Sequence, residues 1–434
     1  MHVAELKLDV YKQEVVFIKP RERIQAALNH LETDMLPVDF GASPVTGISA
    51  PLIFHLREKL GLERRPIKIV DPFQMLGEVD DELKEYLHTD VVGILPRKCS
   101  FGIENKDWRE WRLFDGTPVL VPGGLNTKPD GNGNILVYPQ GDRSAAPCAV
   151  MPKGGYYFDA VIRQKPIVES RLNVDDNMEE FTLLEEEDLR HIEREVGRLY
   201  RDTDYAIMGS FKGTALGDIA LVPGLALKDP KGIRDIEEWY ISTIARKSYL
   251  KELFDRQTDL ALQNFEMYRQ AVGDKIEIVY LCGNDFGTQY APFCSVELYR
   301  ELYLPYYRKM TGWIHSHTGW KVFKHSCGAI EPLMECMIES GFDIINPVQC
   351  SAAGMDPISL KAKYGSRITF WGGGGNTQKT LPFGLPAEVR REVRERINIF
   401  SPGGGFVFNT IHNSQAKVPA ENFLAMIETI KEFR

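Results

Sequence analysis

Short apolar runs of β-type residues alternate with stretches of helical periodicity along the chain, the pattern of an α/β protein with parallel strands. Eight runs read as strands: Leu36–Phe40, Asp90–Leu95, Asp204–Gly209, Ile276–Leu281, Lys321–His325, Asp343–Asn346, Ile368–Gly372 and Phe406–Thr410. Eight strand–helix units are what a closed (β/α)8 TIM barrel requires. The second half has the sharpest punctuation. Ser295–Trp313 has an N-cap serine and Leu298, Leu302 and Tyr306 at helical spacing. Ala329–Ser340 is stopped by Gly341, Pro386–Phe400 opens on proline and ends at Pro402 and three glycines, and Pro419–Phe433 closes the chain in the same manner.

Arg97–Pro166 breaks this rhythm. It is rich in Gly, Pro, Asn and Asp, with β-type runs at Trp111–Phe114, Pro118–Val121 and Ile135–Tyr138 and a hairpin signal at Asp115-Gly116. The expected architecture is therefore one barrel over residues 20–434 with a β-rich insertion, residues 97–166, after the second strand. The alternative is a separate small domain. The acidic run Glu185–Asp188 opens an amphipathic helix carrying Leu189, Ile192, Val196 and Leu199, and reads as a solvated face.

Composition adds exclusions. The 434 residues include 52 basic and 61 acidic side chains, a net charge of -9, with no long basic stripe, which argues against a nucleic-acid partner. The apolar runs fall far short of the roughly 20 residues a membrane helix needs. The first 19 residues have no signal-peptide core, so a cytoplasmic location is expected. Seven scattered cysteines make no disulfide framework and direct attention to metal binding or buried thiols.

Candidate chemistry gathers where strands end. Lys321–His325 runs into Ser326, Cys327 and Gly328, and residues two apart in a strand project to one face. At the C-terminal end of a barrel strand that face is the mouth, and an imidazole with a thiolate suits Zn²⁺. His412, after the last strand, could bring a third ligand to the same mouth. Two histidines and one cysteine leave one tetrahedral position open, as catalytic zinc sites do. The competing reading gives His412 a substrate carboxylate or a backbone group. Asp285, in Asn284–Gln289, fits an acid, a base, a partner that orients an imidazole, or a loop cap. Asn346-Pro347-Val348-Gln349 and Trp371–Gln378 also follow strands, and the four glycines of the latter leave room for a large planar ligand or form a flexible turn. Cys282 is a reserve ligand, Cys350 could face the mouth, Cys336 reads as packing, and His315 and His317 as surface or capping groups.

From about Glu277 onward the chain resembles the uroporphyrinogen decarboxylase superfamily, closest to its cobalamin-dependent methyltransferase branch. The resemblance is carried by Asn284–Gln289, His325-Ser326-Cys327-Gly328, Gly341–Gln349, Gly372–Gln378 with Leu381–Gly384, and His412 with Pro419–Asn422. Arg21, Ala27-Leu28 and Pro37 resemble the family's opening. The resemblance implies a (β/α)8 barrel and is compatible with a homodimer. True decarboxylases of the family carry an arginine-rich first strand–loop segment. Here that segment, Pro37–Pro44, has no arginine, which disfavours haem-pathway decarboxylation. The methyltransferase branch binds zinc through His-x-Cys and a late cysteine. His325 and Cys327 match the first two, and His412 stands where the late cysteine would, which makes coenzyme M a poor substrate. The implied activity is methyl transfer between a small methylated substrate and the cobalt of a corrinoid carried by a partner protein. Asp285 is then the catalytic acid or orienting group, and Asp39, Gln289, Asn346, Gln349, Gln378 and Asn409 face the substrate. A metal-free decarboxylase of a carboxylate-bearing substrate is the alternative.

Overall fold

The computed structural model describes residues 18–210 and 214–434. Seven parallel strands form one sheet in chain order: β1 (Val91–Gly93), β2 (Ala206–Ser210), β3 (Ile278–Cys282), β4 (Lys321–His325), β5 (Ile344–Asn346), β6 (Thr369–Trp371) and β7 (Phe406–Val407). Alternation along these strands sorts their side chains into two separate buried clusters. Val91, Met208, Ile278, Phe323, Ile344, Trp371 and Val407 pack together on the concave side. Val92, Ile207, Val279, Val322, Ile345, Phe370 and Phe406 join the larger cluster under the helices. A strand apolar on both faces is what a parallel sheet covered on one side and curled around its own side chains on the other demands.

Both edges of the sheet meet the same segment. Phe408 N donates to Pro37 O (2.8 Å) and Asp39 N to Phe408 O (2.9 Å), while across the other edge Asp90 N donates to Val38 O (2.7 Å). The strand expected over Leu36–Phe40 is thereby reduced to a single parallel bridge between Val38 and Phe408. Side chains take its remaining donors. Val38 N donates to Asp90 Oδ2 (2.9 Å) and Phe40 N to Thr89 Oγ1 (3.2 Å), so no regular ladder forms on that side. The helix Pro20–Leu28 packs Ile24, Ala27 and Leu28 onto the concave cluster.

Where the helices differ from expectation, proline is involved. Ser295–Trp313 is two helices, Val296–Leu302 and Leu304–His317, broken at Tyr303 beside Pro305, which has no N–H to continue the ladder. Pro332 likewise opens a 3-10 turn, Glu331–Leu333, and leaves only Met334–Glu339 as α-helix. Pro386–Phe400 is as expected, and the last helix is Ala420–Lys431. In the helix Glu186–Asp202, Glu186 and Glu187 are solvated, but Asp188 is buried and accepts from Arg97 Nε (2.7 Å).

The β-rich region reaches further back than residues 97–166. The hairpin Arg109–Arg112/Pro118–Val121, turned at Asp115-Gly116, pairs through Pro118–Val121 in parallel with Ile67–Asp71. Ile48–Ser49 and Leu76–Gly77 complete that five-stranded sheet, so three of its strands precede β1. Ile67–Asp71 escapes a pattern reading because charged residues flank and interrupt it. A second, antiparallel sheet is formed by Thr127–Pro129, Ile135–Val137, Ala149–Met151 and Asp159–Ala160. Phe101, Val119, Val137, Met151 and Phe158 lie in the same buried cluster as the convex faces of β1–β7.

At the start of β3, Glu277 is buried, accepts from Ile207 N (2.8 Å) and lies 3.5 Å from Arg21 Nε. Burial outweighs these contacts and pushes its carboxyl up from 4.5 to about 7. The folded protein therefore holds this proton more tightly than the unfolded chain, and stability falls as pH rises between those two values. Glu277→Gln keeps an acceptor for Ile207 N. Its stability gain over the wild type in urea unfolding should be largest at about pH 8 and vanish at about pH 4.

Candidate metal centre

β4 delivers Phe323 and His325 to the concave side, the phenylalanine into the core and the histidine above it at the strand's C-terminal end. The His325 ring is fixed from below. Its Nδ1 lies 2.6 Å from Asn346 Oδ1, and Asn346 Nδ2 donates to Trp371 O (2.9 Å). That second bond sets which end of the amide faces the imidazole. The amide oxygen must accept from Nδ1–H, and the Nε2 lone pair is left free. Nε2 lies 3.3 Å from Cys327 Sγ and 3.7 Å from Asp285 Oδ1. The His412 ring stands edge-on to His325 at 5.2 Å between centroids. One ligand atom from each of His325, Cys327 and His412 lies within 4.8 Å of the others, so the three residues proposed as metal ligands from sequence do converge.

Burial sets their protonation. It pushes His325 down to about 4 and also lowers His412, so both imidazoles are neutral near pH 7 and able to ligate. Burial and then the Asp285 charge push the Cys327 thiol well up. A divalent cation reverses that balance by stabilising the thiolate. Asp285 braces the loop as well as facing His325: its Oδ1 accepts from Cys327 N (2.8 Å).

The remaining expected site residues fall into three positions. Asn346 and Gln349 are buried and position the ligand segment, Gln349 Oε1 accepting from Gly328 N (2.8 Å). Asp39 and Asn409 are wholly buried; the Asp39 carboxylate accepts from Ala42 N and Trp371 Nε1 (both 3.0 Å), and Asn409 Nδ2 donates to Asp39 O. Burial pushes the Asp39 carboxyl up to about 6. Gln289 and Gln378 are exposed, the latter accepting from Ser351 Oγ (2.9 Å). The room expected at the glycine run is partly filled from within: a Cβ on Gly374 would lie 2.2 Å from the Phe408 ring. Cys282 is not in the convergent group; its Sγ lies 3.3 Å from Lys324 Nζ. Cys336 is buried, His315 contacts Asp343 Oδ2 (2.7 Å), and His317 stacks on Trp313.

Asp218, Tyr240, Tyr280 and Lys324 were not singled out from sequence. Tyr280 could have been found by parity, since it shares the inward face of β3 with Ile278. Asp218 follows a glycine in the loop after β2, and nothing in its local pattern marks it.

Because Asn346 fixes the His325 tautomer, Asn346→Ala should weaken the affinity of this group for an added divalent metal ion by about 10–100-fold, read by competition with a chromogenic chelator. Asn346→Asp, which retains the acceptor, should lose less.

Residues 229–433 match the family model described as uroporphyrinogen decarboxylase (URO-D). The uroporphyrinogen decarboxylase of Actinobacillus succinogenes is 33% identical over 88 residues, 19% of this chain and 24% of that protein. The one from Psychromonas ingrahamii is 31% identical over 87 residues, again 19% and 24%. The alignment thus spans about a quarter of the length of these relatives. Over nearly the whole chain, the fold is similar to a methyltransferase from Methanosarcina mazei, with a TM-score of 0.52 at 14% identity, covering 96% of this chain and 99% of that one.

Proposed function

We propose that this chain, whose residues 229–433 match the uroporphyrinogen decarboxylase (URO-D) family model, is a zinc-dependent methyltransferase of that superfamily. It would move a methyl group between a small methylated substrate, such as a methoxylated compound, and the cobalt of a corrinoid carried by a separate protein. One observation carries the reading: His325, Cys327 and His412 bring two imidazoles and a thiol to one point, with donor atoms within 4.8 Å of one another. Two nitrogens and a sulfur suit zinc and leave a position for substrate. The likeness in fold to a methyltransferase supports the same reading.

The framework inferred for this chemistry is a single (β/α)8 barrel over residues 20–434. Residues 36–40 serve as its eighth stave, and residues 97–166 are an insertion beside it. Bound zinc would supply a Lewis acid for a methoxy or thiol group. The chain's own residues do the rest. Asn346 holds the His325 ring so that Nε2 would face a bound metal, Gln349 and Asp285 brace the segment bearing Cys327, and Asp285 would give or take a proton beside His325. No helix among the described residues is long and apolar enough to cross a membrane, which is compatible with work in the cytoplasm.

The rival reading is a metal-free decarboxylase, and the names of the curated relatives, uroporphyrinogen decarboxylases, speak for decarboxylation. Elemental analysis of the wild type beside Cys327→Ala separates the two. The proposal expects about one zinc per chain, lost in the variant. Absence of zinc from both proteins after metal repletion would overturn it and favour the decarboxylase.

A further inference from the structure

His412 differs from the other two candidate ligands in what carries it. His325 ends β4, and Cys327 follows directly after that strand. β7 stops at Val407, well short of His412. On the barrel side the turn is tied by Ile411 N donating to Gly375 O (2.9 Å) and by Thr410 Oγ1 donating to His412 O. Beyond His412 the chain leaves the barrel sheet and joins the β-rich region. Ser414 forms a parallel bridge with Ile48: Ser414 N donates to Gly47 O (3.0 Å), and Ser49 N donates to Ser414 O (2.9 Å).

Between His412 and that bridge stands Asn413, only 1% exposed. Its Nδ2 donates to Gln74 Oε1 (2.6 Å) and to Pro44 O (3.1 Å), and its Oδ1 accepts from Gln415 Nε2. Gln74 is set in turn by Asp71. Gln74 Nε2 donates to Asp71 Oδ2 (2.8 Å), while Phe73 N (2.9 Å) and Gln74 N (3.3 Å) donate to Asp71 Oδ1. A carboxylate can only accept, so it draws the nitrogen of the Gln74 amide and turns the oxygen to Asn413. Asn413 must then offer its nitrogen, and each amide in the series has one orientation. Asp71 ends the strand Ile67–Asp71, which pairs in parallel with Pro118–Val121 of the insertion. Next to Gln74, Met75 is wholly buried at φ +52°, in the left-handed region that few residues other than glycine enter. Strain of this kind persists where the surrounding structure fixes the backbone, and it gathers at functional segments.

We infer that the β-rich region supports the third candidate ligand. Asp71 and Gln74 are positioning residues that, through Asn413, hold His412 facing His325 and Cys327. They do for His412 from outside the barrel what Asn346 does for His325 from within it. The consequence for metal affinity rests on the zinc-methyltransferase reading; the hold on the His412 turn does not.

A double-mutant cycle on the full chain tests this, with zinc and cobalt(II) as the probe ions. Gln74→Ala should weaken binding of either ion by about tenfold, read by competition with a chromogenic chelator, and should alter the visible spectrum of the cobalt form. In a His412→Ala background the same change should matter by less than about twofold, because no third ligand is left to hold. Asp71→Asn combined with Gln74→Glu exchanges donor and acceptor between the two side chains and should restore the affinity. Gln74→Glu alone sets two carboxylates face to face and should not. The rescue guards against a folding defect in the single variants. A loss in Gln74→Ala that persists in full without His412 would make Gln74 a general structural residue and overturn the inference. Unchanged affinity in Gln74→Ala of a metal-binding protein would overturn it as well. Histidine-ring NMR of the metal-free protein keeps the two claims apart. Gln74→Ala should move the His412 ring signals and leave those of His325 in place. That result in a protein that binds neither ion upholds the positioning and rejects the metal centre. Metal binding with unmoved His412 signals does the reverse.

Discussion

His412→Ala is expected to lower zinc affinity by at least about 100-fold, because it removes one of three protein donors. His412→Cys should restore most of the affinity, since a thiolate at that place completes a two-sulfur, one-nitrogen set that zinc also accepts. The contrast matters because His412 could equally hold a substrate group. It is half-buried, stands edge-on to His325, and has its pKa lowered chiefly by burial. A histidine that only binds substrate would leave zinc in place when removed and would raise KM in its stead. Competition titrations with a chromogenic chelator on the wild type and both variants decide between them. Unchanged zinc affinity in His412→Ala, with weakened substrate binding, would reduce the metal set to His325 and Cys327 and remove the main support for a zinc enzyme.

The site was legible in sequence to the extent that it follows strand parity. His325 and Cys327 could be placed at a strand end because β4 is bounded as its pattern suggests, and His412 because it follows the last strand. Parity gives direction but not depth. Gln289 and Gln378 also follow strand ends, yet both are exposed, since parity does not fix how deep a loop residue sits. Asp218 escapes the sequence for the opposite reason: its burial and the Asp285 charge that raise its carboxyl come only with folding, across more than 60 residues of chain. The segment expected as the first strand shows the same limit in the fold. Leu36–Phe40 is in the expected place but barely a strand, since side chains of Thr89 and Asp90 occupy donors that a ladder would use. Such substitutions of side chain for main chain leave no periodic trace. The β-rich region was visible from its turns, whereas its dependence on Ile67–Asp71 was not, because parallel pairing across that distance has no local signature.

Asp90→Ala should destabilise the protein by about 3–5 kcal/mol, because it leaves buried charges without a partner. Asp90 is fully buried just before β1. Its Oδ1 accepts from Arg23 Nη1 (2.6 Å), its Oδ2 from Arg434 Nη1 (2.7 Å) and Val38 N (2.9 Å). Through these bonds one carboxylate ties the helix Pro20–Leu28, the last residue and the bridge segment that joins the two sheet edges. Arg23 retains Asp34 in the variant, at 2.8 Å and 2.9 Å, which holds the loss below that of a wholly abandoned guanidinium. Asp90→Asn keeps the shape and one acceptor for Val38 N but not the charge, and should fall between wild type and Ala. Arg190→Ala serves as the control: its bond to Glu186 lies on the exposed face of one helix, and surface pairs of that kind contribute little. Urea unfolding followed by far-UV circular dichroism reads all three. A loss in Asp90→Ala no larger than in the Arg190 control would mean that the sheet edges are held to residues 37–40 by main-chain bonds alone. The inferred eighth stave would then be secured without its buried charge network.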